Sequence, residues 1–145
     1  MQFNRLIPEL YVRDYARSLH FYTDALGFTL EYARQDPLFG FLSYHGCQLM
    51  IQQQEPTDYH TGPLDFPYGR GINFQIATPD IATLIESLQQ RDYPLRRGLQ
   101  EHWRAIGGNL LSGTRFTCSI PIATSCASRK TSGARPLPRT ERVFD

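Results

Sequence analysis

Rings, a thioether and amides, rather than acids and bases, carry the chemistry this sequence can do. Phe39 and Phe41 alternate in one apolar run, Met50 and Gln52 in the next, and Tyr44-His45-Gly46-Cys47 between them suits a hairpin with His45-Gly46 as a two-residue loop. That loop sets Tyr44 opposite Cys47, Ser43 opposite Gln48, Phe41 opposite Met50 and Phe39 opposite Gln52. One face of the hairpin then carries Phe39, Phe41, Met50 and Gln52, and the other the wholly apolar Leu42, Leu49 and Ile51. Small-molecule sites use such a mixture: rings to stack on, a pliant thioether and an orienting amide. Asn73 and Gln75, alternating on a later run, add two amides, and Trp103 adds a stacking surface. Ordinary buried strands contain the same residue types, and Trp103 equally suits packing against a second copy.

Acid–base and nucleophilic chemistry find less support. His20 on a helix flank, His45 in a turn and His60 in a loop read as solvated, which leaves His102 beside Trp103 as the histidine of interest. No Ser-His-Asp, Cys-His or paired-carboxylate arrangement follows from spacing. Cys47, Cys118 and Cys126 form no CxxC pair and read as free thiols. Gly107-Gly108-Asn109 reads as a turn and not a phosphate loop, because no strand-to-helix junction or Lys-Ser/Thr follows.

Two copies of one plan position these residues. Leu6, Leu10 and Val12 alternate as a strand, Asp14 is a helix cap, and Leu19, Tyr22 and Leu26, with Ala16 and Ala25, form a stripe that packs on a sheet. Gly27 ends that helix, and Phe28, Leu30 and Tyr32 resume strand alternation on one face. From Ile72 the plan returns, with Ile72, Phe74 and Ile76 toward a helix capped by Asp80 and Asn73 and Gln75 on the opposite side. Ile81, Leu84, Ile85 and Leu88 are that helix's apolar stripe, Asp92-Tyr93-Pro94 ends it, and Leu95 opens another strand. The expected division is a first module over 1–54, a linker or lid over 55–70, a second module over 71–116, and an atypical basic tail over 117–145. The fold class is α+β: two βαβββ modules forming curved mixed sheets, the second left incomplete if the tail supplies no closing strand.

Charge and hydropathy set bounds on partners. The 145 residues carry a net charge of +1, with +4 on residues 115–145 and −3 on the rest, so nothing drives the chain toward nucleic acid or an anionic membrane. No run of about 18 apolar residues and no signal-type segment is present, and a cytoplasmic location is expected.

The residues Val12, Asp14, Ser18, Phe21, Tyr22, Leu26, Gly27 and Phe28 complete the motif V-x-D-x-x-x-S-x-x-F-Y-x-x-x-L-G-F. With the Asp80 helix and the EHWR-x-x-GG segment from Glu101 to Gly108, the chain over about 5–113 resembles the vicinal oxygen chelate superfamily: glyoxalase I, extradiol dioxygenases, fosfomycin-modifying enzymes and bleomycin-resistance proteins. Enzymes of that superfamily hold one divalent metal through His, Glu and Gln side chains. The resemblance puts the first ligand position at Pro8, the next at Gln52 and a third near Asn73, a set that disfavours a metal and any other cofactor. Proline at that position is shared with bleomycin-resistance proteins. The resemblance therefore implies a metal-free, cytoplasmic homodimer that sequesters a cationic glycopeptide antibiotic or similar ligand in a dimer groove. Phe39, Phe41, Met50, Gln52, Asn73, Gln75 and Trp103 would line that groove, no residue would be catalytic, and the acidic body would suit a cation. The alternative is a metal-dependent glyoxalase, dioxygenase or thiol transferase of the same superfamily.

The resemblance stops after Arg115-Phe116. Family members continue with D-P-D-G and a last strand, whereas this chain turns rich in Ser, Thr, Arg and Pro, and reads as a disordered tail rather than a closing hairpin. The expectation for the break is a shifted reading frame. Ser119 to Gly133 back-translated with G- or C-ending codons, read one base earlier, gives DPDRHLLRFAEDLG. Even so restored, the motif would put arginine at the fourth ligand position. Arginine supplies 14 of the 15 basic residues, as expected of a GC-rich gene.

Overall fold

The computed structural model describes residues 2–56, 62, 64–65, 68–69, 71–106, 109–119 and 125–136, with side chains as far as Glu101 and at Trp103. In chain order the elements are β1 (Glu9–Val12), α1 (Tyr15–His20) running into a π-helical turn (Phe21–Ala25), β2 (Thr29–Gln35), β3 (Leu38–Tyr44) and β4 (Cys47–Gln53). The second set is β5 (Asn73–Ala77), α2 (Ile81–Gln90), β6 (Leu95–Ile106), β7 (Asn109–Ser119) and β8 (Ser125–Pro136). Two open, curved four-stranded sheets result, with the orders β1-β4-β3-β2 and β5-β8-β7-β6. In each, the first and last strands pair in parallel and the others antiparallel. The α+β class and the doubled βαβββ plan are thus as the sequence predicts.

Both helices begin at an aspartate cap. The Arg17 amide donates to Asp14 Oδ1 at 2.9 Å, and the Ala82 and Thr83 amides to Asp80 Oδ1 at 3.0 and 3.1 Å. Gly27, with φ +75°, ends the first. The regular helix expected as far as Leu26 widens at Phe21, where the Leu26 amide reaches back five residues to the Phe21 carbonyl at 3.1 Å. That wider turn lets the adjacent rings of Phe21 and Tyr22 both be fully buried, which a regular stripe through Leu19, Tyr22 and Leu26 does not anticipate. Ala16, expected on the packing face, is exposed.

One core lies beneath both helices. Val12, Leu42, Leu49 and Ile51 meet Phe21, Tyr22, Ala25 and Leu26, and Leu88 of α2 joins the same cluster with Ile81, Leu84 and Ile85 against its edge. Burial of each large side chain contributes about 1.5–3 kcal/mol. The Phe21 and Tyr93 rings meet edge to face at 4.8 Å, and the Ser87 hydroxyl donates to the Ala25 carbonyl at 3.0 Å, so the helices are joined directly. Of the three residues expected to face α2 from β5, Ile76 packs on the core, Phe74 is half-buried, and Ile72, just ahead of the strand, is exposed.

The stretch after Phe116 differs from its expected disordered tail. Ser125–Pro136 runs as β8 between β5 and β7, pairing Asn73 with Ser125 and Phe116 with Ser128. A strand between two others is specified by backbone donors and acceptors, and no proline interrupts 125–135. Most of the 55–70 connection, including His60, lies outside the described residues, as do 137–145, the Gly107-Gly108 turn and the side chains of His102, Cys118 and Cys126. Cys47 is a half-buried free thiol. No helix among the described residues is long and apolar enough to cross a membrane.

Candidate functional site

The β3–β4 hairpin has the register its loop implies: Tyr44 with Cys47, Ser43 with Gln48, Phe41 with Met50, Phe39 with Gln52. His45 and Gly46 both take positive φ, 43° and 84°, the tight turn whose twist matches the flanking strands. Leu42, Leu49 and Ile51 enter the helix-side core as expected. Phe39, Phe41, Met50 and Gln52 lie together on the opposite, open face.

Strand β2 departs from its expected alternation and so completes that face. Phe28 is buried and Leu30 pairs with Leu42 on the helix side, but the register shifts between Leu30 and Tyr32, and Tyr32 pairs with Phe41. Glu31 is the extra residue of a bulge, and its carboxylate accepts from the Ser43 hydroxyl. One inserted residue reverses every later side chain, so Tyr32 and Arg34 cross to the open face. Two rows then traverse the sheet, Glu9–Met50–Phe41–Tyr32 and Tyr11–Gln52–Phe39–Arg34.

The rows have depth. The Tyr32 ring lies flat against Phe41, centroids 5.2 Å apart and planes 10° apart, and Phe3 meets Phe41 edge-on at 5.4 Å. The Arg34 guanidinium carbon sits 4.0 Å over the Phe39 ring. Phe39 and Phe41 are consequently 2% and 1% exposed, a floor rather than walls, while Tyr32 and Phe3 are 42% and 58% exposed. Gln52 is buried beside Phe39 and Met50 is half-buried. The residues ahead of β1 are tied down through Gln48, whose side chain accepts from the Asn4 amide at 2.7 Å and donates to the Gln2 carbonyl at 2.8 Å.

Helix α1 braces the floor from behind. The Tyr15 hydroxyl donates to the Phe39 carbonyl at 3.0 Å, and Gln53 bridges the Tyr15 amide and the Arg13 carbonyl. Burial pushes the Tyr15 phenol above its ordinary pKa, which keeps it a donor.

The remaining candidates lie on the other sheet and are not one cluster. Asn73 and Gln75 are exposed on β5, while Trp103 is exposed on β6 at the opposite edge. Gln75 is level with Thr117 of β7 through Ala127, and Trp103 is level with Ser112. Five residues separate those levels, an odd count that sets Trp103 on the face opposite the amides.

The donors on this face do not suit a divalent ion. Alternation carries Glu9 and Tyr11 to the open face and Leu10 and Val12 to the core, so Pro8 follows the core side and the neighbour with the open-face parity is Ile7. Neither residue has a side-chain donor. Glu9 stands in a row with Met50, Phe41 and Tyr32, and Gln52 offers a neutral amide. Among the described residues no three His, Cys, Asp or Glu side chains come together. The sequence did not mark Tyr32, Arg34, Glu9, Tyr11 or Phe3; a hint lay in aromatic and basic residues two apart on β2, once a bulge is allowed.

Residues 2–106 match the family model described as the Glyoxalase/Bleomycin resistance protein/Dioxygenase superfamily. No curated protein sequence matches the chain. Similar solved structures include TioX from Micromonospora sp. ML1, 12% identical over 89% of this chain and 100% of that one, TM-score 0.67. The structure VPC_CASS1 from the mobile metagenome of V. Pseudocholerae is 16% identical over 92% of this chain and 98% of that one, TM-score 0.66. The fosfomycin resistance protein FosX from Listeria monocytogenes, solved with Mn(II) and a dihydroxypropylphosphonic acid, is 14% identical over 91% and 95%, TM-score 0.58. At these identities the likeness is one of fold.

Proposed function

Because the chain belongs to the Glyoxalase/Bleomycin resistance protein/Dioxygenase superfamily, we propose that it is a small-molecule binding protein of the bleomycin-resistance type. It acts as a cytoplasmic homodimer that sequesters its ligand without metal and without chemistry. One observation carries this reading: the open face of the first sheet is layered, with Tyr32 and Arg34 laid over Phe41 and Phe39 beside Gln52. Rings held flat by a second layer lose little freedom when a planar ligand settles on them. A donor set of one carboxylate and one amide gives a metal little to bind, which favours sequestration over the metal-dependent alternatives. Asn73, Gln75 and Trp103 belong to the second sheet, and any part they take in the groove would come through the pairing of sheets in the dimer.

The test is calorimetric titration of chelator-treated full-length protein with metal-free bleomycin. Saturable binding is expected at about one ligand per subunit and micromolar or tighter, roughly −8 kcal/mol. A folded protein that gives no heat rejects sequestration of that drug. Binding that appears only after a divalent ion is restored rejects the metal-free reading in favour of the enzymes.

A further inference from the structure

We infer that Arg34 makes the open face of the first sheet selective for a planar small molecule bearing one oxyanion group, a carboxylate or a phosphonate. This inference rests on the open face being the binding face, and it departs from the bleomycin-type reading in the charge of the ligand, an anion in place of a cation. The Glu31 bulge is what turns Arg34 onto the face, in line with Phe39 and Gln52. There the guanidinium carbon stands 4.0 Å over the Phe39 ring. Contact with a ring uses no N–H hydrogen bond, so the guanidinium keeps donors that can pair with two oxygens of a carboxylate or phosphonate. Among the described residues no acidic side chain is within ion-pair distance of Arg34, which is itself exposed. Asp36, two residues on in the turn, makes no ion pair with it, Glu31 is engaged by the Ser43 hydroxyl, and Glu9 stands on the opposite edge strand.

A cation set over an aromatic floor, with no ion-pair partner among the described residues, is complementary to a ligand anion. The two side chains also have the right spacing for one ligand. Tyr32 and Arg34 are alternate residues of one strand, about 7 Å apart along the face, so a molecule lying against the exposed part of the Tyr32 ring brings a substituent at its end to Arg34. The acidic body of the chain attracts cations at long range, but within the site the contact charge is Arg34, and contact charge sets selectivity.

The experiment compares three probes of one shape on the full chain: 1-naphthylacetate, the neutral 1-naphthylacetamide and the cationic 2-(1-naphthyl)ethylamine, each titrated with fluorescence and calorimetric readouts. The carboxylate is expected to bind about tenfold more tightly than the amide and more tightly still than the amine. In Arg34→Gln the ratio of carboxylate to amide affinity falls to about one, whatever the absolute affinities become. Arg34→Lys, which keeps charge but not the flat fork, restores it in part. Equal binding of the three probes, tighter binding of the amine, or a carboxylate preference that survives Arg34→Gln overturns the inference. So does failure of all three to bind. The bleomycin titration is scored separately, so a protein that binds the drug but shows no anion preference loses this inference and keeps the proposed function. Wild-type protein without a carboxylate preference overturns the inference by itself, and where Arg34→Gln is unstable Arg34→Lys gives the residue-level reading through its weakened preference.

Discussion

Gly40 is where the first helix and the aromatic floor touch. A Cβ there would stand 2.9 Å from the Tyr15 hydroxyl oxygen, 3.2 Å from Leu30 Cδ1 and 3.5 Å from Ile51 Cγ1. The first of these contacts is too close for carbon, and the oxygen is held by its bond to the Phe39 carbonyl. Gly40→Ala should therefore push Tyr15 aside and cost about 1–3 kcal/mol, read as a lower urea midpoint. In a Tyr15→Phe background the same change should cost distinctly less; an undiminished cost would place the crowding at Leu30 or Ile51 instead. The run Leu38-Phe39-Gly40-Phe41-Leu42 is legible as a strand, but the reason for its glycine is not, because that reason is a phenol 25 positions earlier in the chain. Phe39 and Phe41 show the same limit. Alternation identified their face, while their near-complete burial depends on Tyr32, Arg34 and Phe3, which only folding brings over them.

Strand β2 shows why a regular period misleads. Phe28, Leu30 and Tyr32 follow a two-residue alternation in the sequence, yet Glu31 is absorbed in a bulge and the strand changes faces midway. Periodicity counts residues, whereas a bulge changes how many residues stand opposite one partner. Deleting Glu31 should remove the bulge and leave Tyr32 opposite Phe41 and Arg34 opposite Phe39, because the residue lost is the one with no partner of its own. The expected outcome is a strand that keeps its pairing and its ligand binding, with stability within about 1 kcal/mol of the wild type in denaturant titration. Loss of binding together with several kcal/mol of stability would show that the local twist of the bulge, and not the count of residues, holds Tyr32 and Arg34 on the open face. The π-helical turn after α1 is another insertion of this kind, and it too escaped a reading based on period. Where local chemistry alone decides, the sequence was sufficient: the Asp14 and Asp80 caps, the Gly27 stop and the His45-Gly46 loop all stand where their residue types imply.

The paired modules were readable because the plan repeats, strand, capped helix and three strands, even where the letters do not. The closing strand of the second was not, because its residues lack the apolar alternation that marks a buried strand. Register places Cys126 beside Phe74 and Ser128 beside Ile76. Laid over residues 120–133, the shifted-frame reading DPDRHLLRFAEDLG has leucine and phenylalanine at those two positions. Cys126→Leu combined with Ser128→Phe should accordingly raise stability by about 1.5–3 kcal/mol, several degrees in Tm by calorimetry. An unchanged or lower Tm would mean that β8 does not turn these positions toward the helices. The order of the second sheet also bears on synthesis. Among the described residues strand β5 pairs only with β8, so Asn73 waits for Ser125, 52 residues later, as Glu9 waits for Met50 in the first sheet. At about 5–20 residues per second, the backbone of β5 goes without a partner for on the order of three to ten seconds on the ribosome. During that interval its open edge is available to any other extended chain, so slower translation of residues 78–136 is expected to lower the yield of folded protein.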